Sequence, residues 1–547
     1  MPSRTAWLCA LLALPLLAAG AAADDPGGAD IPVAADVPTL HGQLRLSLAD
    51  AIEMALENNL QVEVQRHEPL IREADSRAAW GSFDPEFFSE FGYSDIETPN
   101  ANVLFGTDVN EDKLLGGSGG FRGLIPWLST EYELRLDGSE GKTNSAVEAL
   151  SPEYRSGFSF ELQQPLLRDL IWNEPWTRVK TTYAEQRGAL EQFRTDVMDI
   201  VKDVEDAYWV LIRADEDVRV ARKSLETASA LLGQVETQHE VGVVSKVEVV
   251  EAEAGVAERD VNLITAENAY ENQQDVLIDL VLGPGLRPES SMEIEPTDRP
   301  DEIISYEIDV PQAVAMAFEH RPELQIASYA IERNEYQLKF AKNQRLPALD
   351  AVLSWGQEGL SGEQSSRFDP CRFAADPVTC AANPPTIPSR NFGKSFDDYF
   401  TNDAANEFSA RALFSIPIPN RRARGEVSKA TVELRRSTVQ KRRVEQAIIL
   451  QVRKAVRDLE SAREGIEAAE RRRLAAAEQL RAEQVRLEYG ESTPFDVLDR
   501  ERDLVDAESQ KIRAYQVYRT SATDLDRAQG TILRNRNIAI DRVRPLR

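Results

Sequence analysis

The sequence predicts an α+β fold written twice, in which short amphipathic strands are followed by helical hairpins of unusual length. Three observations carry this. Ordered blocks recur at a near-constant spacing. Alternating apolar and polar segments occupy matching places in both copies. Proline is absent from Trp176 to Gly283 and again from Asn420 to Thr493.

The duplication is read first. Leu48-Ala49-Asp50-Ala51-Ile52 leads to Ala55-Leu56-Glu57 and Gln61-Val62, and Val310-Pro311-Gln312-Ala313-Val314 leads to Ala317-Phe318-Glu319 and Glu323-Leu324. Ala51 to Ala313, Val62 to Leu324 and Pro85 to Pro347 are all 262 apart. The register then drifts, as loops of unequal length would cause. Gln164-Pro165-Leu166 answers Ile416-Pro417-Ile418 at 252, and Gly242 answers Gly490 at 248. At that last offset Ser245 faces Thr493, Glu248 faces Asp496 and Glu251 faces Asp499. The chain thus divides into a signal peptide (1–23), a flexible leader (24–46), a first repeat (47–283), a linker rich in proline and charge (284–309), a second repeat (310–535) and a tail (536–547).

The elements follow in order. Arg4, the apolar run Trp7–Leu17 and Ala21-Ala22-Ala23 before Asp24 make a secretory signal. The run is too short for a membrane-spanning helix, and no later segment offers 18 consecutive apolar residues. Each repeat opens with an amphipathic helix, about 47–80 and 310–345, that stops before Pro85 or Pro347. Strands come next. In 154–162, Tyr154, Ser156, Phe158, Phe160 and Leu162 share one face; in 406–416, Phe408, Ala410, Ala412, Phe414 and Ile416 do. Segments 86–94 and 347–356 alternate more weakly. The pattern fits an ordinary half-buried antiparallel sheet or a lipid-facing barrel wall. Trp80, Trp172, Trp176 and Trp355 near the strand ends suit the second. Four strands per chain cannot close a barrel, for which eight is near the minimum, so a barrel requires association of chains. The long helices then turn at Gly242 and Gly490, each suited to a left-handed helix end. Descending arms of roughly 65–70 residues reach about 100 Å, and the return arms are shorter.

This ordered set resembles the TolC-type outer-membrane efflux family over about 44–535. The resemblance rests on the duplicated Ala-rich helix, Pro85 and Pro347, Gln164-Pro165-Leu166-Leu167, Ile416-Pro417-Ile418-Pro419-Asn420-Arg421-Arg422 and the turns after Gly242 and Gly490. It implies an α+β membrane protein: a homotrimer whose outer-membrane β-barrel, about four strands per chain and twelve in all, continues as a long periplasmic α-helical barrel. It implies a passive exit duct for efflux or type I secretion. Its partners would be a periplasmic adaptor, an inner-membrane pump or ABC exporter, and outer-membrane lipid. The long segments 95–150 and 357–405 depart from the pattern. The first contains alternating Tyr132, Leu134 and Leu136, and suits either an extra hairpin above the membrane or extra wall strands.

The same resemblance places candidate site residues at the hairpin tips. Asp496 and Asp499 match acidic positions of the family's constriction; around a threefold axis they would form carboxylate rings that favour cations. Glu248 and Glu251 repeat the spacing. The alternative is a solvated acidic face, since Asp and Glu total 92. Ser492 stands where some relatives carry a basic residue. Gly242, Ser245, Gly490 and Thr493 would shape the surface that meets the adaptor, or serve turn chemistry alone, and both can hold. Cys371 and Cys380, in an exported loop, read as a disulfide.

Other functions are excluded. A net charge of −29 repels nucleic acid, and the basic run from Arg421 to Arg443 contains Glu426 and Glu433 and reads as a helix face. Four scattered histidines leave no metal site and no cofactor is expected. No phosphate loop, His-Glu-x-x-His or Gly-x-Ser-x-Gly occurs, so an enzyme is not expected. A non-transporting coiled-coil spacer or adhesin is the competing reading; it does not explain strands placed identically in both halves.

Overall fold

The computed structural model describes residues 41–99, 108–283, 291–299, 309–372, 375–401 and 405–539. The expected signal peptide lies outside them. The first repeat holds α1 (Leu48–Asn58), α2 (Leu60–Trp80), β2 (Glu86–Pro99), β3 (Val109–Ile125), β4 (Thr130–Thr143), β5 (Leu150–Pro165), α3 (Glu174–Glu240) and α4 (Lys246–Leu282), preceded by β1 (His41–Leu46). After β6 (Ser291–Pro296) the second holds α5 (Val310–His320), α6 (Pro322–Gln344), β7 (Ala348–Gln364), α7 (Pro377–Ala382), α8 (Phe392–Thr401), β8 (Ala405–Ser415), α9 (Arg421–Glu488), α10 (Pro494–Gln529) and α11 (Ile532–Asn535).

Each opening helix, expected as one, is two. The breaks fall at Asn59 and Arg321, both in extended backbone and again 262 apart. At the first, Asn59 Oδ1 accepts from the amides of Gln61 (2.8 Å) and Val62 (3.2 Å), capping α2, while its Nδ2 donates to the Leu280 carbonyl (2.9 Å). At the second, Pro322 disfavours helical backbone at Arg321, whose guanidinium donates to the Ala528 carbonyl (3.2 Å). Leu280 and Ala528 close the two return arms, so the same joint is made twice by different side chains.

The chain forms two compact units. One takes in the described parts of 1–63, 201–305 and 461–523. Here the end of the leader is not loose: β1 pairs in parallel with β6, drawn from the linker. Tyr208, fully buried, donates to Asp298 (2.6 Å) and lies 2.9 Å from the Leu46 carbonyl oxygen. Burial and the Asp298 carboxylate push its hydroxyl pKa upward.

The other unit takes in 64–200, 306–460 and the described part of 524–547. Its sheet has six strands in the order β2-β3-β4-β5-β7-β8, all antiparallel. The expectation of about four is therefore corrected: segment 95–150 supplies two further strands inside the sheet. The helices of this unit form a series. Trp80 of α2 meets Trp176 of α3 edge-on (5.8 Å). Arg187 of α3 pairs with Glu332 of α6 (2.5 Å) and stacks on Tyr329. Lys441 of α9 donates to Ser328 of α6 (3.0 Å). Trp172 stacks on Tyr336, whereas Trp355, expected near a strand end, sits midway along β7. Within the second long excursion, α8 lies against the sheet, with Phe392 on Tyr154 (6.1 Å). No described helix is long and apolar enough to cross a membrane.

Candidate functional site

Both hairpin tips are built alike. At the first, Gly242 (φ +79°) takes the left-handed conformation that ends a helix. Its amide donates to His239 (2.9 Å) and the Val243 amide to Gln238 (2.9 Å). At the second, Gly490 (φ +75°) donates to Leu487 (3.0 Å) and Glu491 to Arg486 (2.9 Å). This pairing satisfies the carbonyls that a helix end leaves open, and glycine tolerates it without strain. The return helices are then capped by Ser245 and Thr493. Ser245 Oγ accepts from the Glu248 amide (3.4 Å), and Thr493 Oγ1 from the Asp496 amide (3.2 Å).

Three of the four acidic tip residues have local partners. The Asp496 carboxylate accepts from the Thr493 hydroxyl (2.7 Å) and amide (3.2 Å). Those bonds hold its pKa below the usual carboxylate range, so it stays ionised while exposed. Asp499 pairs with Arg502, one turn along. Glu248 accepts from the Ser245 hydroxyl (3.1 Å). Glu251 lies exposed on the same helix. Sequence reasoning missed the apolar side chains around these caps: Val241, Val243, Val247, Tyr489 and Phe495 are all largely exposed. Their signal was present as Val241-Gly242-Val243 and Tyr489-Gly490, apolar residues flanking a turn.

A second feature was missed. Arg259 of α4 is buried against α10, its Nη2 donating to the Leu498 carbonyl (2.9 Å) and lying 3.8 Å from Glu501, also buried. Gly255 gives Leu498 the room for this approach, since a Cβ there would lie 2.7 Å from its methyl. Charges on long helices read as solvated faces, which hid the pair. Cys371 and Cys380 are bonded, with Cα atoms 5.6 Å apart.

The sheet sorts its side chains into two chemistries. The register aligns Phe87, Phe121, Leu134, Phe160, Trp355 and Phe408 in one row across all six strands. Phe87 and Phe408 are 64% and 71% exposed, so no protein core covers the ends of that row. One residue along each strand, on the opposite face, runs Glu86, Arg122, Glu133, Glu161, Ser354 and Ser409. Arg122 pairs with Glu86 (2.8 Å) and Ser354 with Ser409 (2.7 Å). An apolar exposed face backed by a polar one is the signature of a membrane barrel with a wet interior.

The sequence model of the outer membrane efflux protein family matches residues 125–281 and 313–531. The chain belongs to that family. It is accordingly an outer-membrane channel, an exit duct for tripartite efflux, and not an enzyme. The reading as a non-transporting spacer or adhesin falls with this match. No curated protein matches the chain. Solved structures agree on the fold. The CmeC outer membrane channel of Campylobacter jejuni superposes with TM-score 0.60 at 14% identity, covering 89% of this chain and 86% of that one. The MtrE outer membrane channel of Neisseria gonorrhoeae, in its open state, gives 0.58 at 15%, covering 89% of each. The outer membrane protein VceC of Vibrio cholerae gives 0.59 at 15%, covering 88% and 96%. An exposed aromatic row is what a lipid-facing wall presents, and a charged row is what a wet lumen presents.

Proposed function

We propose that three copies of the chain form the duct, that its hairpin tips dock on a periplasmic adaptor, and that an inner-membrane pump or ABC exporter supplies the energy. The observation that carries the docking is the pair of matching tips, each presenting exposed apolar side chains beside a rigid glycine turn. Such side chains gain most from a partner that takes them out of water. Gly242, Ser245, Gly490 and Thr493 hold that surface in place. Detergent-solubilised protein imaged in negative stain is expected to give tapered threefold rods with detergent around one end. Globular particles without a detergent belt would refute the assembly.

Asp496 and Asp499 line the constriction in this reading, with Glu248 and Glu251 close to it. The support is that Asp496 lies exposed at a hairpin tip with its carboxylate fixed by the Thr493 hydroxyl and amide. Three copies bring like charges together, so a passing cation meets a negative ring. Replacing both aspartates with alanine is expected to raise single-channel conductance and to weaken block by multivalent cations. Unchanged current and block would remove both residues from the constriction.

A further inference from the structure

We infer that this duct is walled by eighteen strands, closed by β8 of each copy pairing with β2 of the next. The inference rests on the trimeric reading above and departs from the twelve strands that the resemblance implies. Three copies of a six-stranded sheet give eighteen.

The edges define the surface and its partner. Among the described residues β2 pairs only with β3 and β8 only with β7. In lipid an unpaired strand edge is not tolerated, so each must find another strand. Within one chain they cannot meet, because six strands are too few to close. A second copy supplies what each edge lacks. In an antiparallel sheet of six, the first and last strands run in opposite directions, so β8 meets β2 of the neighbour antiparallel, as the rest of the wall requires. The added pair β3–β4 preserves this because it adds two strands.

The added strands are wall by their chemistry. Phe121 and Leu134 stand in the apolar row, and Arg122 and Glu133 in the polar row. A hairpin standing clear of the membrane has no cause to sort its side chains in register with its neighbours. A glycine in the interior of a strand marks a bend or a close approach of backbone. Gly116, Gly117, Gly119, Gly120 and Gly123 give β3 this freedom, as a curved wall requires.

Cryo-electron microscopy of the full-length protein in lipid nanodiscs tests this. The expected result is a threefold particle with eighteen strands and a barrel about 36 Å across its backbone, about 1.5-fold wider than twelve strands give. A threefold particle with twelve strands and residues 109–143 outside the wall would overturn the inference and leave the duct standing. A particle without threefold symmetry would overturn the trimeric reading and the eighteen strands with it.

Discussion

Replacing Arg259 with alanine is expected to release α4 from α10 near the hairpin tips, at a local cost of about 3–5 kcal/mol, the usual result of removing one partner from a buried ion pair. The guanidinium is 7% exposed and so is the Glu501 side chain. The pair is not isolated. Arg259 also holds the Leu498 carbonyl, and Ser224 of α3 donates to Glu501 (3.3 Å). Truncation leaves the carboxylate with one hydroxyl for support. Burial already pushes the Glu501 pKa above the usual carboxylate value, with Arg259 pulling against it. The sign follows from linkage: a carboxyl whose folded pKa is raised binds its proton more tightly in the folded state. Its most favourable contribution lies below the ordinary carboxylate pKa and is lost as pH rises through the folded value. Without Arg259 the loss deepens, so the variant is weakest at neutral and alkaline pH and partly recovers in acid. Hydrogen exchange over 246–262 and 494–505 reads this directly. Protection should fall in R259A and return in R259M/E501L, where two apolar side chains replace the pair. Equal protection in R259A and the parent protein at neutral pH would show that the pair holds nothing.

How much of this was legible in the sequence depends on the range of the interaction. Periodic features were plain. Proline-free stretches predict arms of about 65–70 residues, and the arms are 67 and 68. Glycine at 242 and 490 marks the left-handed turns because few other residues adopt that backbone. What escaped has specific causes. The β3 strand was hidden because five glycines leave few side chains to alternate. Its partner β4 shows alternation in Tyr132, Leu134 and Leu136, and the sequence left its place open. The breaks at Asn59 and Arg321 each interrupt a helix by one residue, which a period of 3.6 does not register. The β1–β6 pairing joins residues 250 apart through two six-residue strands, and nothing local specifies it. The Arg259–Glu501 pair depends on Gly255, whose missing side chain matters only once α10 is beside it.

The assignment of the sheet's faces makes the sharpest claim about the barrel, and two neighbouring residues of β4 test it. Leu134 stands in the apolar row and Glu133 in the polar row, on opposite faces of one strand. Leu134 lies four residues from the Thr130 end of β4. That places it roughly 10 Å up an apolar band about 25 Å tall, near the middle of the membrane. Arginine at that depth on a lipid-facing strand costs about 2–4 kcal/mol per copy. The substitution recurs in every subunit, so L134R is expected to abolish detergent-resistant trimers and to leave little protein in the outer membrane. Arginine at 133 meets water and sits between Glu161, which attracts it, and Arg122, which repels it. E133R should therefore assemble almost as well as the parent protein. The contrast discriminates because both variants carry the same new charge one residue apart. If β4 stood above the membrane, both would assemble. If the faces were reversed, E133R would be the one that fails. Only a wall strand with Leu134 toward lipid makes the first substitution severe and the second mild.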